Sequence, residues 1–297
     1  MVSSRFNMAA PLSNFSPQTG EACQRKTGSF KAAPKDHKKK KKQKPKPITE
    51  VRVDRSVISK LHVLNKELDA VRSDQSLSRG TKQARVSQLE TEIQKIGGLD
   101  AYQAASKRGA CCHGNTTTSN WVIKQLKKFK VKPATEEKKL RLLDVGALDN
   151  HYQRNSWLDC TAIDLNPQTD SVIKADFFDF QVVEGCEYDI VVLSLVINFV
   201  GDPKKRGDML RHCCQLTKEN GHLFVVLPLP CLSNSRYLTH KLFCDMLDSL
   251  GFQKLCSHDS KRLSFFMFQR IGKRKSKSFP KQVVRKGPSH NNFSIIV

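Results

Sequence analysis

Apolar positions in this chain recur at three- and four-residue steps before Leu140 and gather into short runs broken by polar turns after it. Leu142, Leu143 and Val145 lead into Gly146, and Thr161, Ala162 and Ile163 lead into Asp164. Such runs suit strands buried on both faces of a parallel sheet. The pattern predicts strands at 140–146, 159–164, 171–175, 188–197, 221–228, 252–257 and 262–270. Ile190–Val200 (IVVLSLVINFV) reads as one apolar run, as a central strand should. Helices are predicted over Asp202–Leu216 and Asn234–Leu250, with Gly221 and Gly251 opening the strand after each. Only His258-Asp259-Ser260-Lys261 joins the last two strands, which makes them antiparallel neighbours. Leu263–Phe268 (LSFFMF) is apolar on both faces, so that strand belongs inside the sheet.

Upstream, Val57, Leu61, Leu64, Leu68 and Val71 keep helical spacing, and so do Val86, Leu89, Ile93 and Ile96 after a break at Ser73–Gly80. Two antiparallel helices follow, with Asp54 and Ser78 as N-caps and Gly97–Gly98 as the stop. Their Lys and Arg residues give a basic face or simply a solvated one. Leu99–Gly109 (LDAYQAASKRG) bridges to the next part, and Tyr102 and Gln103 stand out in it. Trp121–Phe129 is an amphipathic helix ringed by lysines and stopped by Pro133. The expected organisation is a disordered basic tail at 1–50, a helical hairpin at 51–100, a linker and helix at 101–139, the sheet domain at 140–270 and a basic tail at 271–297.

Charge sharpens that picture. The 297 residues carry a net charge of +23. Residues 1–50 hold 12 Lys/Arg against three acids, and 270–297 hold 8 against none, so the two ends hold 17 of the 23. Flexible arms of this sign suit a polyanion, and Lys38–Lys42 also reads as a nuclear or nucleolar address. The N-terminus lacks a signal-peptide pattern and no run of 18 apolar residues occurs, so neither secretion nor a membrane partner is expected. The ten cysteines are therefore expected as thiols. Cys111-Cys112-His113 and His212-Cys213-Cys214 lack the two-residue spacers of zinc sites, so no metal is expected, and Cys213 reads as a small apolar core group.

The candidate chemistry lies at the strand ends. In open α/β sheets ligands bind beyond the carboxyl ends of the strands. Asp144 and Gly146 end the first strand. Asp164 ends the second, 18 positions after Gly146, where doubly wound folds hold a ribose. Asp176 and Phe177 follow the third and suit an adenine amino group and ring. Asn198 and Phe199 follow the fourth. Each acid alone is equally a turn or helix cap. One glycine in GALDN, where a dinucleotide fingerprint has three, argues against NAD or FAD and for a nucleoside sulfonium with no phosphate to cradle.

Parallel strands closed by an antiparallel C-terminal strand resemble the class I, Rossmann-like S-adenosylmethionine-dependent methyltransferases. The blocks LLDVGAL, AIDLN, KADFFDF, YDIVVLSLVINFVGDPKKRGDML and LFVVLPLPCLSNSRY, with GGLDAYQAAS upstream, resemble the fungal 25S ribosomal RNA adenine-N(1)-methyltransferases from about Val57 to about Arg270. That resemblance implies S-adenosyl-L-methionine as cofactor and methyl transfer to adenine N1 of large-subunit rRNA, free or in a pre-ribosomal particle, in the nucleolus. Gly146 and Asp164 match its cofactor positions. Lys107–Thr118 departs from its wording. The family also has an animal relative that senses S-adenosylmethionine in growth signalling, which leaves a non-catalytic sensor working through protein partners as the alternative. For an adenine acceptor, Asn198 would hydrogen-bond the base edge and Phe199 would stack on it. Equally, Asn198 caps a strand end and Phe199 fills core. A monomer is the simplest expectation.

Overall fold

The computed structural model describes residues 55–98, 100, 101, 103, 104, 118–181, 183, 185–272 and 277–297. The Lys38–Lys42 run, Asp54, Tyr102 and Cys111–His113 lie outside these residues. Two helices, α1 (Arg55–Ser73) and α2 (Arg79–Lys95), form the expected hairpin. Leu61, Leu68 and Leu89 are buried, at about 1.5–3 kcal/mol each. Ser78 caps α2 by accepting the Thr81 N–H at 3.2 Å. Beyond Lys95, Gly97 at φ 87° and Gly98 at φ 54° turn the chain, as glycine can at little cost.

Helix α3 (Thr118–Lys128) begins three residues before the predicted start and ends before Pro133, in a turn with Lys130 at φ 55°. Seven strands then form one sheet: β1 (Leu140–Val145), β2 (Leu158–Asp164), β3 (Ile173–Lys174), β4 (Tyr188–Ser194), β5 (Thr217–Pro228), β6 (Phe252–Asp259) and β7 (Leu263–Arg270). Their order is β3-β2-β1-β4-β5-β7-β6, with β7 antiparallel to both neighbours. This is the expected class I, Rossmann-like methyltransferase sheet, with the helical hairpin before it.

Side-chain alternation builds the two faces. Leu143, Val191, Leu193, Leu223 and Val225 point into one core with α4 (Pro203–Leu216) and α6 (His240–Ser249). Leu142, Ile190, Val192, Phe224 and Met267 point the other way, onto Val122 and Leu126 of α3. Cys213 and Cys214 are wholly buried, and Cys213 packs as the small apolar group expected. No helix among the described residues is long and apolar enough to cross a membrane.

Three expectations change. First, β4 stops at Ser194, because Leu195 adopts φ 60° and turns the chain although the apolar run continues. Second, the helix expected over Asn234–Leu250 is confined to α6, with 234–239 non-helical and a short α5 (Pro230–Ser233) before them, and β5 starts at Thr217 with Gly221 inside it. Ser235 breaks that helix, its Oγ accepting the N–H groups of Tyr237 and Leu238 at 2.9 and 3.1 Å. Third, residues 277–297 are packed and not a loose arm. Phe279, Phe293, Ile295 and Val297 join the α4 and α6 core, and Arg285 donates to the carbonyls of Ser235 and Leu238. Alternating apolar groups in FSIIV outweigh the basic composition.

Candidate active site

Register brings the sequence-predicted residues to one end of the sheet. Val145 pairs with Ile163 of β2 and with Leu193 of β4, so Gly146, Asp164 and the turn after Ser194 emerge side by side. Gly146 sits at φ 71°, and its N–H donates to Ile163 O at 2.8 Å. A Cβ there would lie 2.6 Å from Val196 Cγ2, so the close approach that requires glycine is to the turn after β4. The sequence alone suggested a ligand in that place.

Asp144 points into the protein, 7% exposed, and burial pushes its pKa up to about 7. Its carboxylate receives no hydrogen bond from the described residues. A buried acid without compensation is costly unless a donor or cation meets it.

Asp164 is already partly engaged. Its Oδ1 accepts the Asn166 N–H at 2.7 Å and Gln103 Nε2 at 2.9 Å. Gln103, 2% exposed, also donates to Asn166 O at 2.9 Å and accepts from Asn166 Nδ2 at 2.8 Å. Asn166 Nδ2 further donates to Asp100 Oδ1 at 2.6 Å. Burial holds the Asp164 pKa above its ordinary value, against the lowering effect of the bonds from the Asn166 N–H and Gln103. The other oxygen, Oδ2, accepts no hydrogen bond from the described residues. The segment after Gly98 therefore supplies a residue of the site, one that stood out in the sequence without a role.

After β3 the pair divides. Asp176 is exposed, with Oδ1 accepting the Phe178 N–H at 2.9 Å. Phe177 faces the core, its ring 5.0 Å from that of His212, and it is Phe178 that is 37% exposed.

The turn after β4 holds the most telling atom. Asn198 is 9% exposed, and its Oδ1 is buried with no hydrogen-bond partner among the described residues. Phe199 is half-buried, and its N–H donates to Val196 O at 2.9 Å. Arg206, 1% exposed on α4, donates to Val200 O at 2.6 Å, Gly201 O at 3.1 Å and Ser294 O at 2.7 Å. Its guanidinium lies 4.3 Å from the Phe293 ring centre, and burial lowers its pKa to about 10. The turn also abuts the hairpin, since a Cβ on Gly201 would meet Asp69 Oδ2 of α1 at 2.0 Å. Sequence reading missed Arg206, because KKR opening a helix looks like solvated charge.

A family model described as "25S rRNA (adenine(2142)-N(1))-methyltransferase, Bmt2" matches residues 87–295, which takes in the C-terminal segment as well as the blocks quoted above. The chain is 32% identical over 215 residues to the 25S rRNA (adenine(2142)-N(1))-methyltransferase of Saccharomyces cerevisiae, covering 70% of this chain and 62% of that protein, less than two thirds of its length. It is 29% identical over 222 residues to the 25S rRNA adenine-N(1) methyltransferase of Schizosaccharomyces pombe, covering 71% of this chain and 81% of that one. The S-adenosylmethionine sensor upstream of mTORC1 of Xenopus tropicalis is 24% identical over 152 residues, 42% of this chain and 38% of that protein.

Proposed function

The chain belongs to the 25S rRNA (adenine(2142)-N(1))-methyltransferase family, and from that premise we propose that it transfers a methyl group from S-adenosyl-L-methionine to N1 of an adenine in large-subunit rRNA. When bound, the cofactor supplies an electrophilic sulfonium methyl, which the neutral N1 attacks with its lone pair. The residues present fit such a group. Asp164 Oδ2 is open to a ribose hydroxyl, and Asp144 offers a buried carboxylate to a cation. In this reading Asp176, exposed after β3, accepts an adenine amino group of the cofactor.

The observation that carries the acceptor half is the orphaned Asn198 Oδ1. A buried acceptor without a donor is unfavourable by roughly 1–3 kcal/mol, so a ligand N–H belongs there. Adenine presents a 6-amino donor beside N1. Accepting from it fixes the reacting edge and leaves the N1 lone pair free, whereas guanine would set O6 against Oδ1, acceptor against acceptor. Phe199 is the candidate ring for stacking the extruded base. No general base is required, since N1 of neutral adenine carries no proton. Arg206 holds the carbonyls of Val200 and Gly201, and so holds the turn carrying Asn198.

The test uses the full chain, labelled S-adenosylmethionine and large-subunit rRNA, with primer extension to locate the modified adenine. We expect a stop at one adenine. We expect Asn198→Ala to lose about 100-fold or more in turnover while S-adenosylhomocysteine binding stays within about threefold. Cofactor binding with no methyl transfer to any rRNA would replace this reading with a sensor. The same reading places the chain in the nucleolus, and a tagged chain excluded from nucleoli would remove that part.

A further inference from the structure

We propose that the end of α3 and the strand-leading segment after it, Lys124–Lys139, form a second RNA contact, a phosphate grip at the opposite end of the sheet from the methyl-transfer site. The inference rests on the rRNA reading above and adds where the RNA is held.

The segment KQLKKFKVKPATEEKK carries seven lysines and two glutamates. Lys124, Lys127, Lys128, Lys130, Lys132, Lys138 and Lys139 are all exposed. None of them is in an ion pair among the described residues, although lysines elsewhere on the surface are, such as Lys218 with Asp189 at 2.8 Å and Lys241 with Asp245 at 2.7 Å. Lys127 and Lys128 suit the negative end of the helix dipole. Lys124 lies a turn earlier, and Lys132, Lys138 and Lys139 lie beyond the helix, so the dipole does not account for them. Phe129 is 37% exposed among these cations, with Lys128 Nζ 5.8 Å from its ring centre. Exposed aromatics among lysines suit single-stranded nucleic acid, whose bases stack and whose phosphates pair.

A backbone feature points the same way. Val131 N–H donates to Leu126 O at 2.9 Å and Lys130 N–H to Lys127 O at 3.1 Å, the paired bonds of a Schellman helix end. The residue in the left-handed position of that motif is usually glycine. Here it is Lys130 at φ 55°. The strain kept at this place leaves a cation projecting from the helix end.

Position makes the grip distinct from the site. Residue 140 opens β1 and Gly146 follows its far end, so the two regions are separated by about 20 Å of strand. RNA touching both must be several nucleotides long, so a short oligonucleotide carrying the target adenine cannot use the grip.

The experiment measures binding of the full chain to a large-subunit rRNA fragment across salt concentrations, beside the quadruple variant Lys124→Gln, Lys127→Gln, Lys128→Gln, Lys132→Gln and the single variant Lys130→Gly. We expect the quadruple variant to flatten the slope of log affinity against log salt by about three. Its KM for the long fragment should rise about tenfold or more, with kcat, S-adenosylhomocysteine affinity and activity on a short oligonucleotide unchanged. Lys130→Gly relieves the helix end, so it should melt about 2 °C higher yet bind RNA more weakly, a split that a purely structural lysine would not give. An unchanged salt slope in the quadruple variant overturns the grip, whatever the methylation result. A flattened slope in a chain that methylates no rRNA supports the grip and overturns the methyltransferase reading alone.

Discussion

Asp144 shows how much one side chain at the strand ends can reveal. An exposed aspartate loses its proton near pH 4, whereas burial holds this one up to about 7. Between those values the folded chain binds more protons than the unfolded chain, so stability falls as pH rises through the window and the full penalty stands above 7. Asp144→Asn should remove that dependence and stabilise the apo chain at pH 8 by roughly 1–3 kcal/mol, as chemical denaturation at pH 5 and 8 would report. Binding of a cationic cofactor works in the opposite sense, because it favours the ionised carboxylate. Affinity for S-adenosylmethionine should therefore climb by up to about tenfold per unit as pH rises towards 7, with proton release. Calorimetry in buffers of different ionisation enthalpy reads both. Affinity flat from pH 6 to 8 would take Asp144 out of the cofactor site.

At the scale of elements, α4 and the C-terminal segment act as one brace on the turn that carries Asn198. Arg206 donates to Val200 O, Gly201 O and Ser294 O. Next to it a Cβ on Gly207 would strike Ile296 O at 1.8 Å, so the segment runs directly over the helix. Lysine keeps the charge but not the forked guanidinium. Arg206→Lys should cost roughly 1–3 kcal/mol and slow turnover while cofactor affinity holds, because Asp164 is on another strand. Equal losses in turnover and cofactor binding would mean general unfolding. This brace is also where the sequence was least legible. The strands of the parallel core were readable, because burial on both faces leaves near-continuous apolar runs at β1, β2 and β4. The last part of the run, 195–200, is apolar for a different reason: it packs as a turn over Gly146 and under Arg206. Only the three-dimensional contact separates the two cases. The C-terminal segment was misread because its eight cations and absence of acids dominated the composition, although four buried groups, Phe279, Phe293, Ile295 and Val297, decide its packing. Asp164 was readable from spacing, whereas its partner Gln103 lies 61 positions away and no local pattern links them.

For the whole molecule, the hairpin and the residues leaving it touch the site at two places. Gln103 comes from the segment leaving α2 and bonds Asp164, while α1 meets the acceptor turn at Gly201. A ligand on Asp164 must therefore favour the arrangement in which Gln103 is seated, and the segment behind it with it. A ligand at 100 times its Kd stabilises the state it binds by at most about 2.7 kcal/mol, roughly a hundredfold slowing of amide exchange in any unit that opens with the site. We expect S-adenosylhomocysteine to slow exchange in α2 as well as around Asp164. Gln103→Ala should weaken cofactor binding about tenfold and abolish the slowing in α2. The hairpin itself should stay folded, since Leu61, Leu68 and Leu89 still bury their side chains. If α2 exchange ignores the cofactor in the native chain, the hairpin is only a cover. If it responds in both the native chain and Gln103→Ala, the coupling runs through α1 and Gly201 instead. A response lost with Gln103 makes this single amide the link by which cofactor occupancy reaches the helical hairpin.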